Sequence, residues 1–109
     1  MNNTERFLAL QDYFTDEKKF IGNGNYRLRK IDEENYDFEF SLIDPCGAGI
    51  LNPQIRLTKQ GEDLKPVQLF DMGSTPVKFL KNDSEESARE LNIEFEKLIE
   101  KFENAMEKL

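Results

Sequence analysis

The stretch Asp83–Leu109, DSEESARELNIEFEKLIEKFENAMEKL, decides how this chain is read. Its apolar residues fall at Ala88, Leu91, Phe95, Leu98, Phe102, Ala105 and Leu109, with gaps alternating between three and four. On an α-helix that spacing makes one continuous stripe, and Ile99 and Met106 widen it. The helix opens at Asp83 or Ser84. Asp83 with Glu86 resembles a capping box, and the early acids suit the positive end of the helix dipole. No Gly or Pro interrupts the run to Leu109. About 26 residues at ~1.5 Å each span roughly 39 Å. A compact chain of this length is about 30–35 Å across, and strands of six to eight residues reach only ~20–27 Å. The expectation is a helix that outruns its own sheet and leaves Phe102, Met106 and Leu109 as an apolar strip in need of a cover. The alternative is that the first helix lies beside it and supplies that cover.

The same stretch holds most of the charge. Residues 82–109 carry nine acids (Asp83, Glu85, Glu86, Glu90, Glu94, Glu96, Glu100, Glu103, Glu107) against four bases (Arg89, Lys97, Lys101, Lys108), which is −5 of the chain's −7. Glu86, Glu90 and Glu94 form a like-charge row at i,i+4; Glu96 with Glu100, and Glu103 with Glu107, do the same. Each such pair costs a few tenths of a kcal/mol. Two explanations are open: a negative surface offered to a basic partner, or a composition generally rich in Glu and Lys.

Upstream, Asn3 or Thr4 caps a first helix with Phe7, Leu10 and Phe14 on one face, ending near Phe14 or Thr15. Phe20–Ile21 starts a short strand before the tight turn Gly22-Asn23-Gly24-Asn25. Tyr26–Ile31 is a strand, and Arg27 and Arg29 face away from Tyr26 and Leu28. Tyr36–Ile43 is the clearest strand: Tyr36, Phe38, Phe40 and Leu42 alternate with Asp37, Glu39 and Ser41, giving one buried and one wet face. Arg27 and Arg29 are expected across from Asp37 and Glu39. Asp44–Pro53 reads as a loop, Gln54–Lys59 as a third strand, and Pro66–Met72 as a fourth. In the fourth, Val67 and Leu69 stand against Phe70 and Met72, so both faces carry apolar residues. Val77–Leu80 reads as an extended lead-in to the last helix, with a short edge strand as the alternative. The predicted fold is an α+β two-layer sandwich: an N-terminal helix, an antiparallel sheet of four to five strands, and a long C-terminal helix, in one domain over residues 1–109.

Composition narrows the chemistry. With no histidine, Ser-His and Cys-His nucleophile pairs and imidazole bases are excluded. One cysteine excludes an internal disulfide and a cysteine-based structural zinc site. No phosphate-binding Gly-Lys-Ser/Thr loop occurs, and Gly22-x-Gly24 is too short for a dinucleotide fingerprint. No metal and no cofactor is expected. No basic segment followed by an apolar run begins the chain, and no run approaches ~20 apolar residues, so the cytoplasm is the expected location. Net acidity disfavours direct contact with nucleic acid or anionic membrane. Two local features stand out: the small-residue loop around Cys46 (Asp44-Pro45-Cys46-Gly47-Ala48-Gly49) and the acidic cluster Asp32, Glu33, Glu34. A connecting loop and a solvated hairpin tip explain them. A basic and aromatic patch of Arg27, Arg29 and Lys30 with Tyr26 and Tyr36 fails as a stacking platform, because the tyrosines fall on the core face.

The function expected is a small acidic module without catalysis that binds another protein, in an accessory, inhibitory or immunity role. Phe102, Met106 and Leu109 would be the apolar anchors, and Glu96, Glu100, Glu103 and Glu107 the charged rim toward a basic partner. Alternatives are a homodimer assembled through the C-terminal helix, and a small ligand binder or enzyme using the Cys46 loop. At the level of architecture, with no shared motif, the chain resembles type III secretion chaperones, toxin-immunity proteins and phage-encoded inhibitors. Its abundance of Asn, Lys, Glu, Phe and Ile points to an AT-rich bacterial or phage genome.

Overall fold

A computed structural model describes residues 1–109. The elements are α1 (Asn3–Leu10), β1 (Lys19–Ile21), β2 (Gly24–Lys30), β3 (Asn35–Ile43), β4 (Gly49–Gln60), β5 (Asp63–Asp71), β6 (Lys78–Lys81) and α2 (Glu85–Met106). The strands form one antiparallel sheet in chain order, β1-β2-β3-β4-β5-β6. The α+β class and the two helices match the sequence reading. The strand count does not: there are six strands rather than four to five. Val77–Leu80 does not lead into the helix; Lys78–Lys81 is an edge strand paired with β5. Much of the predicted Asp44–Pro53 loop is strand as well, because β4 begins at Gly49 and absorbs Asn52-Pro53 at a bulge between Leu51 and Gln54.

Both helices lie on one face of the sheet. That face presents Tyr26, Leu28, Tyr36, Phe38, Phe40, Ile55, Leu57 and Leu69 to Phe7, Leu10 and Phe14 from the N-terminal segment and to Leu91, Phe95, Leu98, Ile99 and Phe102 of α2. The centre is aromatic. Phe38 lies 4.9 Å from Phe7 and 4.3 Å from Phe102, and Phe102 lies 4.8 Å from Phe14 and 4.9 Å from Tyr26, centroid to centroid. Phe38–Phe102 is tilted and the other three pairs meet edge to face, an arrangement that adds about 0.5–1.5 kcal/mol per pair beyond the area buried.

The expected overhang of α2 is absent. Phe102 is 0% exposed, Ala105 is buried and Met106 is half-buried against the core. Only Leu109, at 59% exposure and past the helix end, projects. Two things account for this: the N-terminal segment lies beside α2 as the alternative reading had it, with Phe14 against Phe102 and Arg6 against Glu103, and the sheet is long. β4 has 12 residues and so reaches ~40 Å, while the 22 residues of α2 span ~33 Å. The helix also crosses the sheet obliquely. Near its start, Glu90 meets Lys78 of β6; near its end, Phe102 meets Tyr26 of β2.

Helix boundaries follow their caps. Asn2, not Asn3 or Thr4, caps α1, in a capping box with Glu5. Gln11 ends α1, so Phe14 enters the core from the following turn. Ser84 caps α2 by accepting from the Ser87 N–H, in place of the expected Asp83–Glu86 box; Asp83 instead accepts from the Ser87 hydroxyl. Thr4 is free for a longer-range task. Its Oγ1 accepts the Leu64 N–H at 3.0 Å, on the part of β5 that β6 does not reach. Thr4→Val keeps the shape and strands that N–H, which costs about 1–3 kcal/mol when buried. Urea denaturation of Thr4→Val is expected to show a loss in that range; an unchanged midpoint would contradict the role.

Candidate interaction surface

Two surfaces compete for a partner: the outward side of α2 and the outer face of the sheet. On α2 the acidic rows have cations from within the chain. Arg6 of α1 donates Nε and Nη2 to the two carboxylate oxygens of Glu103 at 3.1 and 2.6 Å, and its Nη1 lies 3.7 Å from Glu96. The Glu103 hydrogen bond chiefly, helped by the charges of Glu96 and Glu100, pushes the Arg6 pKa up. Lys78 of β6 lies 3.0 Å from Glu90 and 4.0 Å from Glu94 and is likewise held protonated, chiefly by the Glu90 hydrogen bond. Lys78 thus bridges two members of the first like-charge row, and Arg6 links Glu96 and Glu103, one member of each of the other two rows. Glu103 is held by Arg6, the Glu96 side chain lies near Arg6 but stays 53% exposed, and Phe102 is sealed in the core. Of the expected docking residues, Glu96, Glu100, Glu107 and Leu109 remain exposed and Glu103 and Met106 partly so. They make no contiguous apolar strip.

The outer face of the sheet has no helix over it. The register places its residues in rows across the strands: Arg27–Glu39–Gln54–Phe70–Phe79, then Arg29–Asp37–Arg56–Gln68–Lys81, with Phe20–Asn25–Ser41–Leu51 on the other side of the first. The expected cross-strand positions of the arginines and carboxylates are present, but this face is not uniformly wet. Asp37 and Glu39 are 8% and 6% exposed, and Ser41 is buried. Long neighbours account for this. Arg56 makes a forked contact with Asp37, Arg27 lies 3.5 Å from Glu39, and Gln54 Nε2 donates to Glu39 at 3.3 Å. At the rim, Asp16 accepts from Arg27 at 2.7 and 3.0 Å, and that hydrogen bond chiefly holds its carboxyl below the usual range.

One end of this face is apolar. Ile43, Leu51, Phe70, Met72, Val77 and Phe79 share it. Phe70 and Phe79 meet edge to face at 6.0 Å, and the Met72 N–H donates to the Leu51 carbonyl at 2.7 Å. Ile43 is 53% exposed, Val77 54% and Phe79 48%. Single exposed apolar residues are ordinary, but a group of them on a face without a cover marks an interaction site. Sequence reading missed this group. The signal was present in Pro66–Met72, where Phe70 and Met72 oppose Leu69, but it had no partner until Phe79 was placed on a strand.

The remaining features are accounted for locally. The Cys46 loop is the β3–β4 connection. Asp44 Oδ1 accepts the N–H groups of Cys46 and Ala48 at 2.9 and 2.8 Å, and Gly47 takes a positive φ of 87°. Asp32 organises the β2–β3 turn by accepting from the backbones of Glu34 and Asn35, and these bonds, that of Glu34 first, lower its pKa. Tyr26 and Tyr36 are buried on the inner face, and burial pushes the Tyr26 hydroxyl pKa up. A shallow cleft between α2 and the β4 bulge is lined by Asn52, Pro53, Asp71, Glu94, Lys97, Leu98 and Lys101, with both signs of charge and one hydrophobic residue, Leu98. No helix is long and apolar enough to cross a membrane. Comparison with protein-family models, with curated proteins and with solved structures gives no match.

Proposed function

We propose that the protein is a small cytoplasmic binding module that docks onto another protein through the open face of its sheet, in an accessory, inhibitory or immunity-type role of bacterial or phage origin. The observation that carries this reading is the apolar corner around Phe70 and Phe79. It is the apolar group that α1 and α2 leave uncovered, and it is ringed by polar and charged side chains as interfaces are. The apolar stripe of the C-terminal helix is the core of the chain, which favours the open face over that helix as the docking element.

The test is affinity capture of a partner with three proteins: the native sequence, Ile43→Ser with Phe79→Ser, and Glu100→Lys with Glu107→Lys. The open-face pair is expected to lose the captured protein, and the helix pair to retain it. Both pairs sit at exposed positions, so their urea midpoints should stay within about 0.5 kcal/mol of the native value. Loss by the helix pair alone would return the docking surface to α2.

A further inference from the structure

We infer that the open face takes an extended acidic segment of another protein, with apolar or aromatic side chains between its acids. This rests on the protein-binding reading and names the chemistry of the partner. The argument begins with the depth of the charges. Asp37 and Glu39 lie buried within the face, bound by Arg56 and Arg27, whereas Arg29 and Arg56 keep 48% and 42% of their side chains exposed. Lys65, in register with Thr58, and Lys81, in register with Gln68, are exposed on the same face. Acids near the surface of this face lie at its margins: Asp16, which pairs with both Arg27 and Arg29, Asp63 in the β4–β5 hairpin, and Asp32, whose charge interacts with that of Arg56. Arg27, Arg29 and Arg56 are paired with acids, whereas Lys65 and Lys81 are in no ion pair, so a chain of net charge −7 turns a short band of unpaired cations outward along β5 and β6.

The band runs directly beside the apolar corner. In the register, Phe70–Phe79 and Gln68–Lys81 are neighbouring rows, and Lys81 Nζ lies 5.5 Å from the Phe79 ring centroid. A segment lying across β5 and β6 thus meets apolar surface and positive charge side by side. Alternating acidic and apolar side chains match that layout, and the charges would speed encounter and select the partner. The acid-rich layer on the opposite side of the molecule repels the same segment, which directs it to this face.

A second copy fits less well. Face-to-face packing would bring the two basic bands together. The edge strand β6 is only four residues long and carries a lysine at each end, Lys78 and Lys81, a common way of blocking edge-to-edge association. Single-stranded nucleic acid is disfavoured as well. Phe70 is half-buried and both rings already meet edge to face, so the corner lacks a pair of free ring faces for stacking.

The experiment is an amide NMR titration of the whole chain at low salt with three probes: a Glu/Phe alternating peptide, a Lys/Phe peptide of equal length, and a thymidine oligonucleotide. The acidic peptide is expected to give saturable shifts along β4, β5 and β6. Lys65→Glu with Lys81→Glu is expected to weaken it about tenfold or more, and Glu100→Lys with Glu107→Lys to leave it unweakened. If the basic peptide binds instead, on α2, the acidic-partner inference is overturned while protein binding stands. If the oligonucleotide binds the open face more tightly than the acidic peptide, both are overturned. No saturable shift with the acidic peptide up to about 1 mM also overturns the inference, and the capture experiment then judges the protein-binding reading separately.

Discussion

Phe102→Ala is expected to cost about 3–5 kcal/mol, the range for truncating a fully buried aromatic. Phe102 is 0% exposed and its ring contacts those of Phe14, Tyr26 and Phe38, which come from the N-terminal segment, β2 and β3. Neighbours from three separate parts of the chain cannot collapse together into the space, so the cavity persists. A domain of this size has roughly 5–15 kcal/mol of stability in total, so a large share of it is removed. Urea denaturation measures the effect directly, with Leu109→Ser as the control. Leu109 lies beyond α2 and is expected to change stability by less than about 0.5 kcal/mol. Similar small losses for both variants would mean that the end of the helix is not part of the core.

Gly24→Ala is expected to cost about 1–3 kcal/mol or more by overpacking. Gly24 starts β2 and is buried. Its φ is not positive, so the constraint is space rather than backbone conformation. A Cβ there would lie 2.4 Å from Cζ of Phe40 and 2.7 Å from the carbonyl oxygen of Ser41. The ring cannot swing away easily, because it is buried against Tyr26 at 4.9 Å. The carbonyl belongs to the β3 backbone and moves only if β2 and β3 separate. Gly49→Ala is the matched control: it lies in β4, is exposed, and its nearest neighbour would be Lys18 Nζ at 3.8 Å. Its stability should stay within about 0.5 kcal/mol of native. Equal effects at the two glycines would remove the steric explanation.

The parts of this fold that were legible in sequence are those with a clean period. The 3-4 spacing from Leu91 to Ala105 gave α2 its buried face, and the alternation from Tyr36 to Phe40 placed the aromatic side chains of β3 inward. The parts that were not legible break their period for physical reasons. The bulge at Asn52-Pro53 shifts the alternation of β4 by one residue, so the strand read as a loop from Asp44 to Pro53. Lys78–Lys81 has four residues with lysine at both ends, a pattern that protects a sheet edge and resembles a connector. These two misreadings made the sheet too small, and with a helix read a few residues too long and the N-terminal segment not placed beside it, they produced the predicted overhang of α2.

The charge pattern was misread for a related reason. Glu96, Glu100 and Glu103 repel one another within an isolated helix. Their partner, Arg6, is some ninety residues earlier in the chain, and no local pattern connects them. Lys78 stands in the same relation to Glu90 and Glu94 across the fold. The apolar corner also depends on register. Phe70 and Phe79 become neighbours only when β6 pairs with β5, and Ile43 and Leu51 join them through the β3–β4 ladder.

Hydroxyl-radical footprinting read by mass spectrometry tests most directly which apolar surface the fold leaves open. Phenylalanine is modified in proportion to its contact with solvent, and the nine phenylalanines sample both layers of the molecule. Phe20 and Phe79 should be modified many times faster than Phe38, Phe95 and Phe102 in the native protein, and that difference should vanish in denaturant. Modification of Phe102 as fast as that of Phe79 under native conditions would mean that the stripe of α2, and not the outer face of the sheet, is the uncovered surface.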